Sequence, residues 1–315
     1  MRRAFLFGGI LLSLYAARHI AAQVQGSGYF DRVYVGILDD DRQEVANWEP
    51  GPARHRLVRI TFERTGKGWI AVPPDSASVP QAMNWTVAFD GRRLGAIQTE
   101  DPKLPTGGTD RESNYNARIQ RIVTPAERIP NVGKPAARFA PMGEWQGPSK
   151  ARRPLVVVSR PNFSDPDGWK RMASPPPEIS VLVLQFFRQE FPHVSRCKDE
   201  KVVKHDWQFP NTALSFPATY NSNKGSFLVE ADLNAGDCGY IDDQNDPESN
   251  PWFFVSADRK IRRIGSFLML LDAGDYDNDG RSELIFILNQ PEDTDGFWLF
   301  DADLKKRAAV EWTYH

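Results

Sequence analysis

The run DAGDYDNDGRSELIFIL, Asp272 to Leu288, constrains the fold more than any other stretch of this chain, because it sets acids at alternate positions between two apolar segments. Asp275, Asp277 and Asp279 alternate, Gly280 follows at once, and Glu283 stands just before a β-branched and aromatic run. Carboxylates this close repel one another unless a cation neutralises them, so the loop is expected to be ordered when loaded and frayed when empty. Hard divalent cations, calcium above all, take oxygen ligands at this spacing. Loop positions one, three and five supply carboxylates, position six turns sharply, position seven gives a carbonyl and position nine closes the shell. Those places fall on Asp275, Asp277, Asp279, Gly280, Arg281 through its carbonyl, and Glu283. The alternation and the placed glycine favour a bound Ca2+ over a solvated acidic turn. The pattern indicates an ion and no reaction.

An EF-hand loop looks the same until its last ligand, a bidentate Glu at position twelve, and it needs a helix on each side. Position twelve here is Phe286, and the flanks SFLMLLDAG and ELIFILNQ read as buried strands. A strand, an acidic D-x-D-x-D-G loop and a second strand resemble the FG-GAP and VCBS-type repeats of secreted proteins and the calcium loops of integrin-alpha β-propellers. More loosely, the C-terminal third, from ESNPWFFVSADRKIRRIG to GFWLFDADLKKRAAVEWTYH, is similar to uncharacterised extracytoplasmic bacterial proteins. The resemblance implies a secreted β-rich protein with a calcium loop at 272–288, and it supplies no activity. Propeller families carry several such loops. This chain has one complete copy and a remnant, Asp293-Thr294-Asp295-Gly296, so the form implied is a partial or irregular β-propeller.

The N-terminus has the layout of a secretory signal over residues 1–22, with Arg2 and Arg3 ahead of an uncharged apolar run from Ala4 to Ala17. A retained membrane anchor is the alternative, but the run is short of the roughly 20 apolar residues a spanning helix needs. Removal of Arg2, Arg3 and Arg18 takes the formal net charge from −2 to −5, because three positive charges leave. A mildly acidic chain of mixed sign argues against nucleic acid as the main partner. Export gives Cys197 and Cys238 an oxidising compartment, so they are expected to form one disulfide rather than remain buried thiols. Nine Trp and nineteen Phe supply a sizeable core, and residues 23–315 fit one β-rich domain with a sub-boundary in 99–154.

Along the chain, the alternation in RHRLVRITFERTGKGWIAVP predicts a hairpin about Gly66-Lys67-Gly68. NWTVAFDGRRLGAIQ predicts another about Asp90-Gly91, with Val87, Phe89, Leu94 and Ile97 inward. RPLVVVSRPN reads as a strand ended by Pro161, and SDPDGW as a turn. One amphipathic helix is expected near 178–191, with prolines at its entry, Ile179, Leu182, Val183, Phe186 and Phe187 on its stripe, and Pro192 as its stop. Val181 and Leu184 widen that stripe and suggest burial on more than one face. FLVEADLN, FFVSADRK and WLFDADLK each run from an apolar strand into a turn aspartate: Asp232, Asp258 and Asp303. The interval from Asp258 to Asp303 fits a propeller blade and the other does not. The expected class is mainly β and antiparallel.

Other chemistry is thin. His193, Cys197, His205 and Asp206 form a local set for zinc, but their spacing matches no zinc module. Asn84 and Asn162 head glycosylation sequons with no assigned role. The functional expectation is an exported protein that binds or scaffolds, with structural calcium and an extracellular or periplasmic protein or glycan as partner. The alternative is a secreted hydrolase or lyase acting on carbohydrate or cell-envelope material, with Trp48, Trp145 and Trp169 as sugar platforms.

Overall fold

A computed structural model of the chain describes residues 32–40, 56–72, 83–100, 115–122, 154–236, 244–290 and 294–313. The expected signal segment 1–22 lies outside them, as does most of the expected sub-boundary 99–154. The protein is mainly β and antiparallel, with one α-helix among the described residues.

The first seven strands are β1 (Val33–Asp40), β2 (Arg56–Thr65), β3 (Gly68–Ala71), β4 (Asn84–Phe89), β5 (Arg92–Thr99), β6 (Tyr115–Ile122) and β7 (Leu155–Val158). They form one sheet in the order β1-β7-β4-β5-β6-β2-β3, and β1 also pairs with β2, so the pairing runs in a circuit back to its start. Both expected hairpins are present. The β4–β5 turn places Asp90 at φ 47° and Gly91 at φ 69°, a two-residue turn for which Asp-Gly is suited. Strand β6 pairs with β5 and with β2, so this part of the 99–154 stretch belongs to the first sheet.

The C-terminal half adds two antiparallel meanders. One joins β8 (Lys170–Met172), β12 (Thr219–Asn221), β13 (Phe227–Glu230), β15 (Trp252–Val255) and β16 (Ile261–Gly265) in the order β16-β15-β13-β12-β8. The other is β17 (Leu268–Gly274), β18 (Glu283–Asn289), β19 (Thr294–Phe300) and β20 (Lys306–Thr313), paired in sequence. Among the described residues two minor pairs complete the strands: β9 (Arg196–Lys198) with β10 (Lys201–Lys204), and β11 (Leu214–Ser215) with β14 (Asp232–Leu233).

Side-chain alternation stacks these units in layers. Along β18, Leu284, Phe286 and Leu288 join a core with Trp169, Tyr220, Leu228 and Trp252 of the five-stranded meander. Ile285 and Ile287 turn the other way, toward Val33, Val35, Phe62 and Val158 of the first sheet. The four-stranded meander is therefore the middle layer, buried on both faces, which is why ELIFIL is a continuous apolar run. The first sheet keeps a further core of its own around Trp85, Val87, Ile97, Leu155 and Val157. Of the inward residues expected there, Val87 and Ile97 are fully buried, and Phe89 and Leu94 are partly buried against that core.

The far face of the five-stranded meander, through Phe227, Val229, Phe253 and Val255, packs on α1 (Pro177–Glu190). Prolines fix the entry of α1, since their missing N–H is one the first turn leaves unpaired anyway. Ile179, Val183, Leu184 and Phe187 are buried, with Leu182 and Phe186 partly so. Val181 is 53% exposed, so the helix is covered on one side only, narrower than the wide burial its sequence suggests. No helix among the described residues is long and apolar enough to cross a membrane.

Candidate metal centre

The acidic loop joins β17 to β18, between Gly274 and Glu283, which pair across the two strand ends. Strand β17 reaches it through a bulge, with the register shifting between Leu270 and Asp272. The extra residue lets Leu271 and Asp272 both make contacts toward the first sheet, where Leu271 joins its core and Asp272 Oδ1 accepts the Gly91 N–H at 3.1 Å. Tyr276 is fully buried there and donates its hydroxyl to Asp272 Oδ2 at 3.2 Å, with the Phe163 ring 5.2 Å away. Burial and the Asp272 and Glu283 carboxylates hold the Tyr276 phenol well above its ordinary value.

Within the loop, backbone N–H groups aim inward. The Asp275 carboxylate accepts from Asp279 and Gly280, each at 2.9 Å, and Glu283 Oε2 accepts from Tyr276 at 2.9 Å. Ligand oxygens of Asp275, Asp277 and Glu283 all lie within 4.8 Å of one another. Oxygens on opposite sides of a calcium ion at 2.3–2.6 Å stand about 4.6–5.2 Å apart, so this triad has the span to share one cation. Asp279, expected as a fourth carboxylate ligand, is outside the triad; its Oδ1 accepts the Arg281 N–H at 2.8 Å. The Arg281 side chain leaves the loop and pairs with Asp303 at 2.6 Å.

The electrostatics agree with the donor set. Burial, then Asp277, Asp279 and Asp275, push Glu283 up from 4.5 to about 9, with the Tyr276 N–H opposing. Burial also raises Asp275, partly offset by the Gly280 and Asp279 N–H groups. Among Asp275, Asp277, Asp279 and Glu283, four potential negative charges meet one guanidinium in contact among the described residues, Arg64 Nε on Asp277 Oδ2 at 2.6 Å. An all-oxygen set with surplus negative charge suits a hard divalent cation.

Neighbours that the sequence did not assign to the loop hold it in place. The Ser164 carbonyl accepts the Asp275 N–H at 2.8 Å. Asp165 takes the Ser282 hydroxyl at 2.5 Å and the Trp169 N–H at 2.6 Å, and burial raises its pKa despite those bonds. Asp167 accepts the Ser282 N–H and pairs with Lys224. The expected SDPDGW turn is thus a strut between the loop and the β12–β13 hairpin. Its only advance signal was a second alternation of acids, Asp165 and Asp167.

The other candidates separate. His193 and Asp206 pair at 2.5 Å on the surface, while Cys197 is buried on β9, and these residues do not gather with His205 into a metal site. Cys238, the expected partner of Cys197, lies outside the described residues, as do Trp48, Trp145 and Asp293. The Cys197 N–H donates to the Ala235 carbonyl at 2.9 Å, and a Cβ on Gly236 would collide with the Cys197 carbonyl. Trp169, expected as an exposed platform, is 5% exposed and part of the core between the meanders, where hairpin packing covers it. Asn84 and Asn162 are both exposed. No protein-family model matches this chain, and neither a curated protein nor a solved structure matches it.

Proposed function

We propose that this chain is an exported, calcium-stabilised β-rich protein that binds or scaffolds, and that its resemblance to FG-GAP and VCBS-type modules reflects a structural ion rather than a reaction. The observation that carries this reading is the convergence of Asp275, Asp277 and the buried Glu283 on one position. Calcium suits the loop better than magnesium, because mixed carboxylate and carbonyl oxygens on a flexible loop meet its irregular, water-poor coordination. The partner is an extracellular or periplasmic protein or glycan. The expected Cys197–Cys238 bridge fits the same compartment, and the contact of Ala235 with Cys197 supports it.

Calorimetric titration of calcium chloride into chelator-treated protein tests the reading directly. Stabilisation by an ion that binds only the folded chain reaches about 2.7 kcal/mol at a hundredfold excess over Kd. For a chain this size the melting temperature should then rise by roughly 5–10 °C. Asp275→Asn and Glu283→Gln should remove that rise while leaving a folded protein. A parent chain that takes up no calcium, and melts identically in calcium and in chelator, refutes the proposal.

A further inference from the structure

The β9–β10 hairpin forms a two-stranded sheet of its own. Its turn is Asp199-Glu200, both left-handed, at φ 54° and φ 57°. Strand β9 is anchored to the body, with Cys197 5% exposed and its N–H donating to the Ala235 carbonyl. Strand β10 is exposed at all four residues, Val202 at 47% and Val203 at 57%, and among the described residues it pairs with β9 alone.

The register of this hairpin gathers charge of one sign. Lys198 stands opposite Lys201, Cys197 opposite Val202 and Arg196 opposite Lys204, with a bulge between Val202 and Lys204. Side chains alternate along a strand, so Arg196 and Lys198 share the face that the buried Cys197 does not. Lys201 and Lys204, three positions apart, would point to opposite faces of a regular strand. The bulge absorbs the odd residue, Val203, and brings both lysines onto the face of Arg196 and Lys198. Four cations thus form two like-charged pairs directly across the ribbon, an arrangement that costs stability until an anion joins it. Within residues 193–206 the ion pair is His193 with Asp206, which leaves Lys198, Lys201 and Lys204 without a carboxylate among the described residues. Arg196 lies over the Trp207 ring, 5.3 Å from its centroid. Lysines on other hairpins differ, since Lys224, Lys260 and Lys306 each have an acidic partner.

We infer that β10 is a docking edge for an extended acidic segment of a partner protein. The segment adds a strand beside β10, with acids at alternate positions against Lys201 and Lys204 and an apolar residue between them against Val202. This names the partner class for the binding role proposed above and rests on that role, though not on the calcium. Same-face side chains of an extended peptide recur about every 7 Å, as they do along β10, and residues directly opposite come within about 5 Å. Main-chain bonds to the free edge hold the strand, and the alternate acids select it. A second copy of this chain does not fit, because antiparallel pairing of β10 with itself sets Lys201 against Lys204 twice. An acidic polysaccharide would meet the charges but leave the backbone edge unpaired.

The test is fluorescence anisotropy of the full-length protein with a labelled peptide, Ser-Glu-Val-Glu-Val-Glu-Ser, beside the same peptide carrying Gln for Glu, and with polygalacturonate as competitor. The acidic peptide should bind saturably, weaken as salt rises, and slow amide exchange across residues 201–204. It should bind at least about tenfold more tightly than the Gln peptide. Lys201→Glu with Lys204→Glu should remove that margin, and Lys201→Arg with Lys204→Arg should keep it. The two-peptide comparison on the parent decides the matter even if a variant fails to fold. Equal affinity for the two peptides, no protection of β10, tighter binding of polygalacturonate, or self-association of the parent that the Glu pair alters overturns the inference. Calcium uptake, followed separately, keeps the two proposals apart: uptake without peptide binding refutes the docking edge alone, and peptide binding without uptake refutes the calcium alone.

Discussion

Glu283 shows how one residue couples burial to an ion. It closes β18 at its loop end, 3% exposed, and its acidity is suppressed to about 9 by burial and by the Asp277, Asp279 and Asp275 charges. A carboxyl whose folded-state pKa is raised retains its proton longer in the folded chain than in the unfolded one, so unfolding releases protons. Without metal, the Glu283 contribution to stability is therefore fully present below about 4.5, and is lost progressively as pH rises from there toward 9. Urea midpoints measured in chelator across that range should fall with pH for the parent and flatten for Glu283→Gln. With calcium held in excess the parent profile should flatten too, since the cation keeps the carboxylate ionised; a parent profile that is flat in chelator would contradict the assignment. Asp275, Asp277 and Glu283 were legible in the sequence because their order along one loop is local information. Arg64 was not, because only the fold brings β2 to a loop 213 residues away.

At the scale of elements, the recurring turn is the informative unit. The β15–β16 hairpin closes through Ser256 and Lys260, and the β19–β20 hairpin through Asp301 and Lys305, with the same pattern of backbone bonds. In each, the first residue's side-chain oxygen accepts the N–H of the fifth, and the fourth residue is left-handed: Arg259 at φ 66° and Leu304 at φ 55°. The β12–β13 hairpin repeats the turn through Ser222 and Ser226, with Gly225 at φ 82°. The motifs around Asp258 and Asp303 thus mark equivalent turns, while Asp232 lies on β14, a short strand paired with β11. Shared grammar did not distinguish the third, because an apolar run before an acid is the same string whether the chain turns or continues. Arg259 is exposed, but Leu304 is 0% exposed in the core between the meanders. Leu304→Ala should therefore cost about 2–5 kcal/mol, and Arg259→Ala within about 1 kcal/mol, as read from denaturant unfolding. Equal costs at the two positions would mean that turn strain, and not packing, sets the outcome.

In the whole molecule, the acidic loop sits where several units meet. It reaches β2 through Arg64, the β4–β5 turn through Asp272, the 164–167 strut through Asp275 and Ser282, and the β19–β20 turn through Arg281. An ion that orders the loop should therefore slow amide exchange in β2 and in residues 164–169 as well as in β17 and β18, measured by mass spectrometry with calcium against chelator. Protection confined to 268–289 would show the loop acting alone. The sequence by itself determined the antiparallel β class, the hairpins at Gly66–Gly68 and Asp90–Gly91, the helix and the four acids of the loop, though not which three converge, because each depends on side-chain periodicity or on residues a few positions apart. Only the tertiary structure decided that β17 to β20 form a middle layer, that Val181 faces solvent, that Trp169 is buried, and that Arg64 and Asp277 share a contact. Those outcomes depend on which faces the layers cover and on how loop and strand meet across long separations, and neither is written in local spacing.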